Sequence, residues 1–279
     1  MKTANKKEKK RIHKPVTVIV SGLVLAAVLF AGYAVFFQNA VPAVLKGERV
    51  LLAGDSRSST DYTFYRELLE KKSGCKVLVE GASGKNAAYN ASDEYFTRMK
   101  QEHDFSIWLV GGNDDGSAGT VGTFSPESEL SQAGEPVVSE TDVTKDYDGG
   151  TFIQAVDHMM RKYKGMYDDA QTAPQMIFCT DLPQQRDSKS SPWSLKANWE
   201  RKRLAILECC KKNDILCLDL YKLCGFDMEI EPMYHEPTDM KSDNGVYYMD
   251  GLHPNRRGMD LITGLEIDLM EKHRKSSTK

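Results

Sequence analysis

Val50-Leu51-Leu52-Ala53-Gly54-Asp55-Ser56 is a short apolar run that ends in a glycine, a carboxylate and a hydroxyl. An apolar run of this length, closed by turn-forming residues, reads as a buried strand. Buried strands of this kind belong to parallel sheets, and α/β sheets place their chemistry outside the carboxyl ends of the strands. The run therefore predicts an α/β domain and puts Ser56 where a hydroxyl can meet a substrate.

The chain beyond this point keeps the same rhythm. Apolar runs at Arg49–Ala53, Lys76–Val79, Phe105–Val110, Gln175–Cys179 and Ile215–Leu218 predict five strands. Helical spacing appears between them. Tyr62–Lys72 has Phe64, Leu68 and Leu69 on one side, Ala88–Met99 is a shorter candidate, and Leu195–Lys212 is a long one. Phe152–Tyr163 turns Phe152, Val156, Met159 and Met160 to one face, and Arg161, Lys162 and Lys164 load its end. Asn255–His273 closes the chain as an amphipathic helix, with Leu261, Ile262, Leu265 and Leu269 expected inward and Pro254 at its start. Strands alternating with helices predict a mostly parallel sheet covered on both faces. Residues 114–150 break the rhythm with nine acidic residues against the single Lys145. Long connections of this kind are either functional or solvated excursions, so this interval is read as an insertion that is one or the other.

The 279 residues have a formal net charge of −3. Residues 1–14 carry seven Lys or Arg and one Glu, a net +6, which leaves −9 on the remainder. That acidic balance argues against nucleic acid as a partner, because phosphate binding needs a basic surface. Residues 16–37 contain no charge, and 22 residues suffice for a span that needs roughly 20. A cleaved signal peptide has a shorter apolar core, so the run reads as an uncleaved anchor; cleavage near Val41-Pro42-Ala43 is the alternative. The basic flank stays in the cytoplasm and sends the bulk of the chain outside. The expected organisation is a tail at 1–15, a span at 16–37, a linker at 38–47 and an exported domain at 48–279. Six cysteines in an exported chain permit disulfides. Cys75, Cys179 and Cys217 lie in strand-like runs and read as small buried residues, with one disulfide in the Cys209–Cys224 region as the other option. The chain has no zinc-type Cys/His spacing, no phosphate-cradling glycine motif and no dinucleotide fingerprint after the first strand.

A serine hydroxyl becomes a useful nucleophile when a histidine takes its proton and a carboxylate orients that histidine. Asp250 and His253 stand three residues apart just before the last helix, in Asp250-Gly251-Leu252-His253-Pro254-Asn255. Sheet topology can bring them to Ser56. Acyl transfer also needs donors for a developing oxyanion. Glu80-Gly81-Ala82-Ser83-Gly84 ends the second strand in a glycine turn, and Gly111-Gly112-Asn113-Asp114 ends the third. The Gly81 amide, the Asn113 side chain and the Ser56 amide are the candidate donors. Turn geometry alone is the other reading of these glycines, and an Asx-turn the other reading of Asn113.

Four blocks in this order resemble the SGNH hydrolases, the GDSL-type esterases and lipases. Gly54-Asp55-Ser56-Arg57 is similar to their first motif, Gly81 falls at their oxyanion glycine, Asn113 at their side-chain donor, and His253 with Asp250 at their base and its orienter. The resemblance spans roughly residues 48 to 272. It implies a flavodoxin-like three-layer α/β/α sandwich with a five-stranded parallel sheet. It further implies a two-step acyl transfer through Ser56 that needs no metal or organic cofactor. Two departures stand out. Arg57 and Ser58 follow the serine where the family often has an apolar residue, and Val79 and Glu80 precede the glycine turn where the family often has Asn. They weaken a lipid-type substrate. The leading expectation is hydrolysis of a short acyl ester, such as O-acetyl, on a small molecule or a cell-envelope carbohydrate. An O-acyltransferase, a lipase or a non-catalytic glycan-binding module on the same fold are the alternatives.

Overall fold

The structure, a computed structural model, describes residues 43–99, 102–114, 118–122, 124–125, 135–136, 138, 141–167, 173–182, 192–224 and 252–274. The expected basic tail and apolar span lie outside the described residues, and among those that are described no helix is long and apolar enough to cross a membrane.

The strands are β1 (Arg49–Gly54), β2 (Lys76–Val79), β3 (Phe105–Leu109), β4 (Phe124–Ser125), β5 (Glu135–Pro136), β6 (Gln175–Cys179) and β7 (Leu216–Leu218). The helices are α1 (Thr63–Ser73), α2 (Ala87–Ala91), α3 (Asp93–Arg98), α4 (Ala118–Val121), α5 (Phe152–Gly165), α6 (Pro192–Asn213), α7 (Leu220–Leu223) and α8 (Arg256–His273). Five strands form one parallel sheet in the order β2-β1-β3-β6-β7. The expected α/β architecture is therefore the observed one. Inside the insertion at 114–150, β4 and β5 make a short antiparallel pair.

Side chains alternate across the sheet, as the period of an extended strand requires. Val50 and Leu52 of β1, with Phe105, Ile107 and Leu109 of β3, join a core under α1 and α8. Leu51, Ala53 and Trp108 face the other way, into a core closed by α2, α3, α5 and α6. Both faces of β1 and β3 are thus apolar, which is why these strands read as continuous hydrophobic runs rather than alternating ones. The order matters for function. β2 lies on one side of β1 and β3 on the other, so the chain reverses its winding direction between β1 and β3. Ligand sites of open α/β sheets form at that switch point, beyond the carboxyl ends.

Four sequence expectations are corrected. Ala88–Met99 is two short helices, because the Ser92 hydroxyl donates to the Tyr89 carbonyl and accepts from the Tyr95 N–H, ending α2 and capping α3. Pro254 precedes α8 rather than opening it; Asn255 is the cap and accepts from the Gly258 N–H at 2.9 Å. Leu261 is 40% exposed; Ile262 is buried as expected, Leu265 and Leu269 pack partly buried against the core, and α8 also buries Met259, Thr263, Glu266, Ile267 and Met270. The true inward stripe was disguised by a threonine and a glutamate on it. Leu45, expected in the linker, is fully buried in the core beneath α1.

Glu266 joins the two helices that follow the candidate catalytic residues. The Tyr65 hydroxyl on α1 donates to its Oε1 at 2.7 Å, while Oε2 has no hydrogen-bond partner among the described residues. Burial pushes this carboxyl up to about 8, with the Tyr65 bond and Lys72 pulling the other way. The native state therefore holds a proton that the unfolded chain has lost, from the ordinary carboxylate range up to about 8. Stability falls with rising pH across that window and levels off above it. Glu266→Gln, which removes the ionisable proton but keeps the acceptor, is expected to flatten this slope. Urea midpoints at pH 5 and pH 8 check it: the wild type should lose a few kcal/mol more than the variant between the two.

Candidate active site

The Gly54 backbone ends β1 at φ +118°, and a Cβ there would lie 1.9 Å from the Leu109 carbonyl oxygen. Only glycine fits this close approach of β1 to β3. Its N–H donates to the Tyr95 hydroxyl at 2.7 Å, and the next amide, of Asp55, donates to the Leu109 carbonyl. The chain then turns through a single 3₁₀ turn, Ser56–Ser58, capped by the Asp55 side chain, which accepts from the Arg57 N–H. Ser56 is at the start of that turn, at the carboxyl end of β1.

Ser56 Oγ lies 2.9 Å from His253 Nε2. The two residues are 197 positions apart in sequence, and the packing of α1 against α8 closes that distance. His253 is largely buried beside Tyr62, with ring centroids 5.9 Å apart. Asp250, the expected orienter, lies outside the described residues.

Gly81 and Asn113 flank the turn from the neighbouring strands. The Ala82 N–H donates to the Gly54 carbonyl at 2.8 Å, extending the β1–β2 ladder past its end. A Cβ on Gly81 would lie 2.3 Å from the Ser58 carbonyl oxygen, so the loop after β2 packs directly on the serine turn. Asn113 follows β3 and its Nδ2 donates to the Lys85 carbonyl at 2.9 Å. The next residue, Asp114, accepts from the Ala87 N–H, and burial pushes its carboxyl up to about 6 against the pull of that N–H and of Lys202. The structure thus brings Ser56 to His253, packs the Gly81 loop on the serine turn, and leaves Asn113 at the end of β3 with its side chain on the Lys85 carbonyl.

Beneath the site is a charge network that the sequence reading missed. Arg57 is fully buried and donates through Nε and Nη2 to Asp55 and through Nη1 to Asp181, at 2.6–2.9 Å. Asp181, at the end of β6, also accepts from Lys202 Nζ of α6 at 2.6 Å. Two carboxylates and two cations leave the network neutral. Burial by itself lowers the Arg57 value, but Asp55 and Asp181 outweigh it and leave the guanidinium more firmly protonated than usual. Burial raises Asp181, and Lys202 and Arg57 reverse this to a net lowering. Removing one member of such a group strands its partner and costs roughly 3–5 kcal/mol. The departure at Arg57 is therefore structural, an apolar position taken by a paired cation. Lys202 had a legible signal. It shares with Trp199, Arg203, Ile206, Cys209 and Cys210 the buried face of α6, so a charge sits on an apolar stripe at helical spacing.

Asp55 braces the turn by accepting from Arg57 and from the Gly112 N–H. His103 is buried against the Tyr163 hydroxyl at 2.7 Å, and His158 Nδ1 pairs with the Thr141 hydroxyl, both structural positions. All six cysteines are free thiols, five of them buried, so the Cys209–Cys224 region holds no disulfide. Among the described residues, no group of His, Cys, Asp and Glu is arranged to hold a metal ion.

The fold is similar to that of a protein from Lactobacillus plantarum, with a TM-score of 0.57 and 16% identity over 82% of this chain and 99% of that one. It is also similar to a possible lipase from Chitinophaga pinensis, with a TM-score of 0.50 and 13% identity over 81% and 98%. At these identities the likeness is one of fold. No family model matches the chain, and no curated protein matches it in sequence.

The contact at Gly81 makes a direct prediction. Gly81→Ala should overpack the serine turn and lower stability by roughly 1–3 kcal/mol. Gly165→Ala, where a Cβ meets nothing within 4 Å, should be neutral or slightly stabilising. Thermal melts of the two variants beside the wild type check the contrast.

Proposed function

We propose that the protein is a serine esterase of the SGNH type that hydrolyses carboxylic esters through Ser56. The observation that carries this reading is the 2.9 Å approach of Ser56 Oγ to His253 Nε2 at the β1/β3 switch point. With the imidazole proton on Nδ1, Nε2 accepts from the serine hydroxyl. Ser56 attacks the ester carbonyl as His253 takes that proton, and the imidazolium then protonates the departing alcohol. Water, activated by the same histidine, cleaves the acyl-enzyme. The oxyanion is held by the Ser56 and Gly81 amides and the Asn113 side chain. Asp250, three residues before His253 in the motif, has the role of fixing the tautomer. None of these steps calls for a metal or an organic cofactor.

The substrate class follows from polarity and placement. The 114–150 insertion is acidic and polar. The apolar run 16–37 behind a basic tail supports a single-pass anchor with the α/β domain outside the cytoplasm. Together these support a short acyl ester, O-acetyl in the leading reading, on cell-envelope carbohydrate.

The full chain in detergent should hydrolyse a chromogenic short-chain ester, and Ser56→Ala should lower kcat/KM by roughly 10⁴-fold or more while leaving the circular dichroism spectrum and melting temperature unchanged. Equal turnover by folded wild type and Ser56→Ala would overturn the mechanism. The carbohydrate reading is checked by acetate release from an O-acetylated glycan, with the rate on chromogenic esters declining as the acyl chain lengthens.

A further inference from the structure

Lys202 is only 3% exposed, yet its ammonium is directed at the loop that carries Asn113. Nζ donates to the Gly111 carbonyl at 2.7 Å and to the Asp114 carbonyl at 3.4 Å, the first and last residues of the Gly111–Asp114 turn. Nζ also donates to Asp181 Oδ2 at 2.6 Å. One cation thus grips both ends of the turn and leaves Asn113 between them. The turn is fixed internally as well, by the Asp114 N–H donating to the Gly111 carbonyl and the Gly112 N–H donating to Asp55.

These bonds close a ring. From the serine turn, Arg57 reaches Asp181; Asp181 holds Lys202; Lys202 holds the Gly111–Asp114 carbonyls; and the Gly112 N–H returns to Asp55 beside Ser56. The nucleophile and the side-chain oxyanion donor come from different strands, and this ring ties their two turns together. A stack of apolar side chains of equal volume would stabilise the fold as well or better, since buried ion groups rarely add net stability. What apolar groups cannot do is hold two carbonyl oxygens at fixed positions. A single ammonium, with three donors around a point charge, suits two carbonyls and one carboxylate.

We infer that Lys202 is a positioning residue for the reaction proposed above: through the Gly111 and Asp114 carbonyls it holds Asn113 where the oxyanion forms, without itself touching the reacting atoms. The inference rests on the Ser56 esterase reading. It assigns Lys202 an effect on transition-state stabilisation and none on ground-state binding.

The test is a double-mutant cycle with Lys202→Met, which keeps the volume and removes the donors, and Asn113→Ala. Lys202→Met should lower kcat by roughly 10–100-fold with KM within about threefold, part of the 10²–10³ that a lost oxyanion donor costs. In the Asn113→Ala background the same substitution should lower kcat by less than about threefold, because the group it positions is gone. A full, multiplicative loss in that background, an unchanged kcat in folded Lys202→Met, or a change confined to KM would each overturn the inference. If Lys202→Met does not fold, Lys202→Gln, which retains a donor to one carbonyl, replaces it in the same cycle. Hydrogen exchange separates this claim from the esterase reading. Should the wild type show no Ser56-dependent turnover, the esterase reading fails, and exchange at the Gly112 and Asp114 amides still decides whether Lys202 holds the turn. Exchange at least tenfold faster in the Lys202 variant than in wild type supports the clamp, and unchanged protection overturns it.

Discussion

The site depends on one buried arrangement: Asp55, Arg57, Asp181 and Lys202 paired beneath the ends of β1, β3 and β6. Strand ends are the least constrained part of a sheet, because the ladder that aligns the strands stops there. Here a neutral set of four charges continues the alignment past the last ladder bond. Its members are held by position as much as by charge. The Gly112 N–H and the Gly111 carbonyl are parts of the same network, so the backbone after β3 cannot shift without breaking a bond to a buried ion. The turns that carry Ser56 and Asn113 are thereby joined through buried ions.

A second constraint acts from the opposite side. His253 comes from the far end of the chain, on the approach to α8, and it reaches Ser56 because α8 lies against α1. The contact between those helices includes Tyr65 bonded to the buried Glu266, a carboxyl that burial holds up to about 8. Ser56 and His253 are each followed by a helix, and the two helices share one core with the same face of the sheet. Local sequence therefore builds two turns, and long-range packing makes them one site.

Much of this was legible in the sequence because it obeys local rules. The runs at 49–53, 76–79, 105–110, 175–179 and 215–218 became strands nearly residue for residue, since both faces of a central strand demand apolar side chains. Ser56, Gly81, Asn113 and His253 were named from motifs whose positions follow strand ends, and the structure brings Ser56 to His253 and the Gly81 loop onto the serine turn. What escaped is non-local. Nothing near Arg57 announces that its second partner lies at 181, and Lys202 betrays itself only as a charge on the buried stripe of α6. The helix at 88–99 was misread because Ser92 satisfies backbone groups that a continuous helix would use. The inward face of α8 was read only in part, because Glu266, which looks solvent-facing in sequence, is buried and paired with a tyrosine 201 residues away.

The central claim is that Ser56 forms a covalent acyl intermediate, and intact mass followed by peptide mapping measures it directly. A serine-directed phosphonate that mimics the tetrahedral state should add one label per chain, located on the peptide containing Ser56, and labelling should be lost in Ser56→Ala and strongly slowed in His253→Ala. Ester hydrolysis by the wild type with no label at Ser56, or with labelling unaffected by either substitution, would contradict the account.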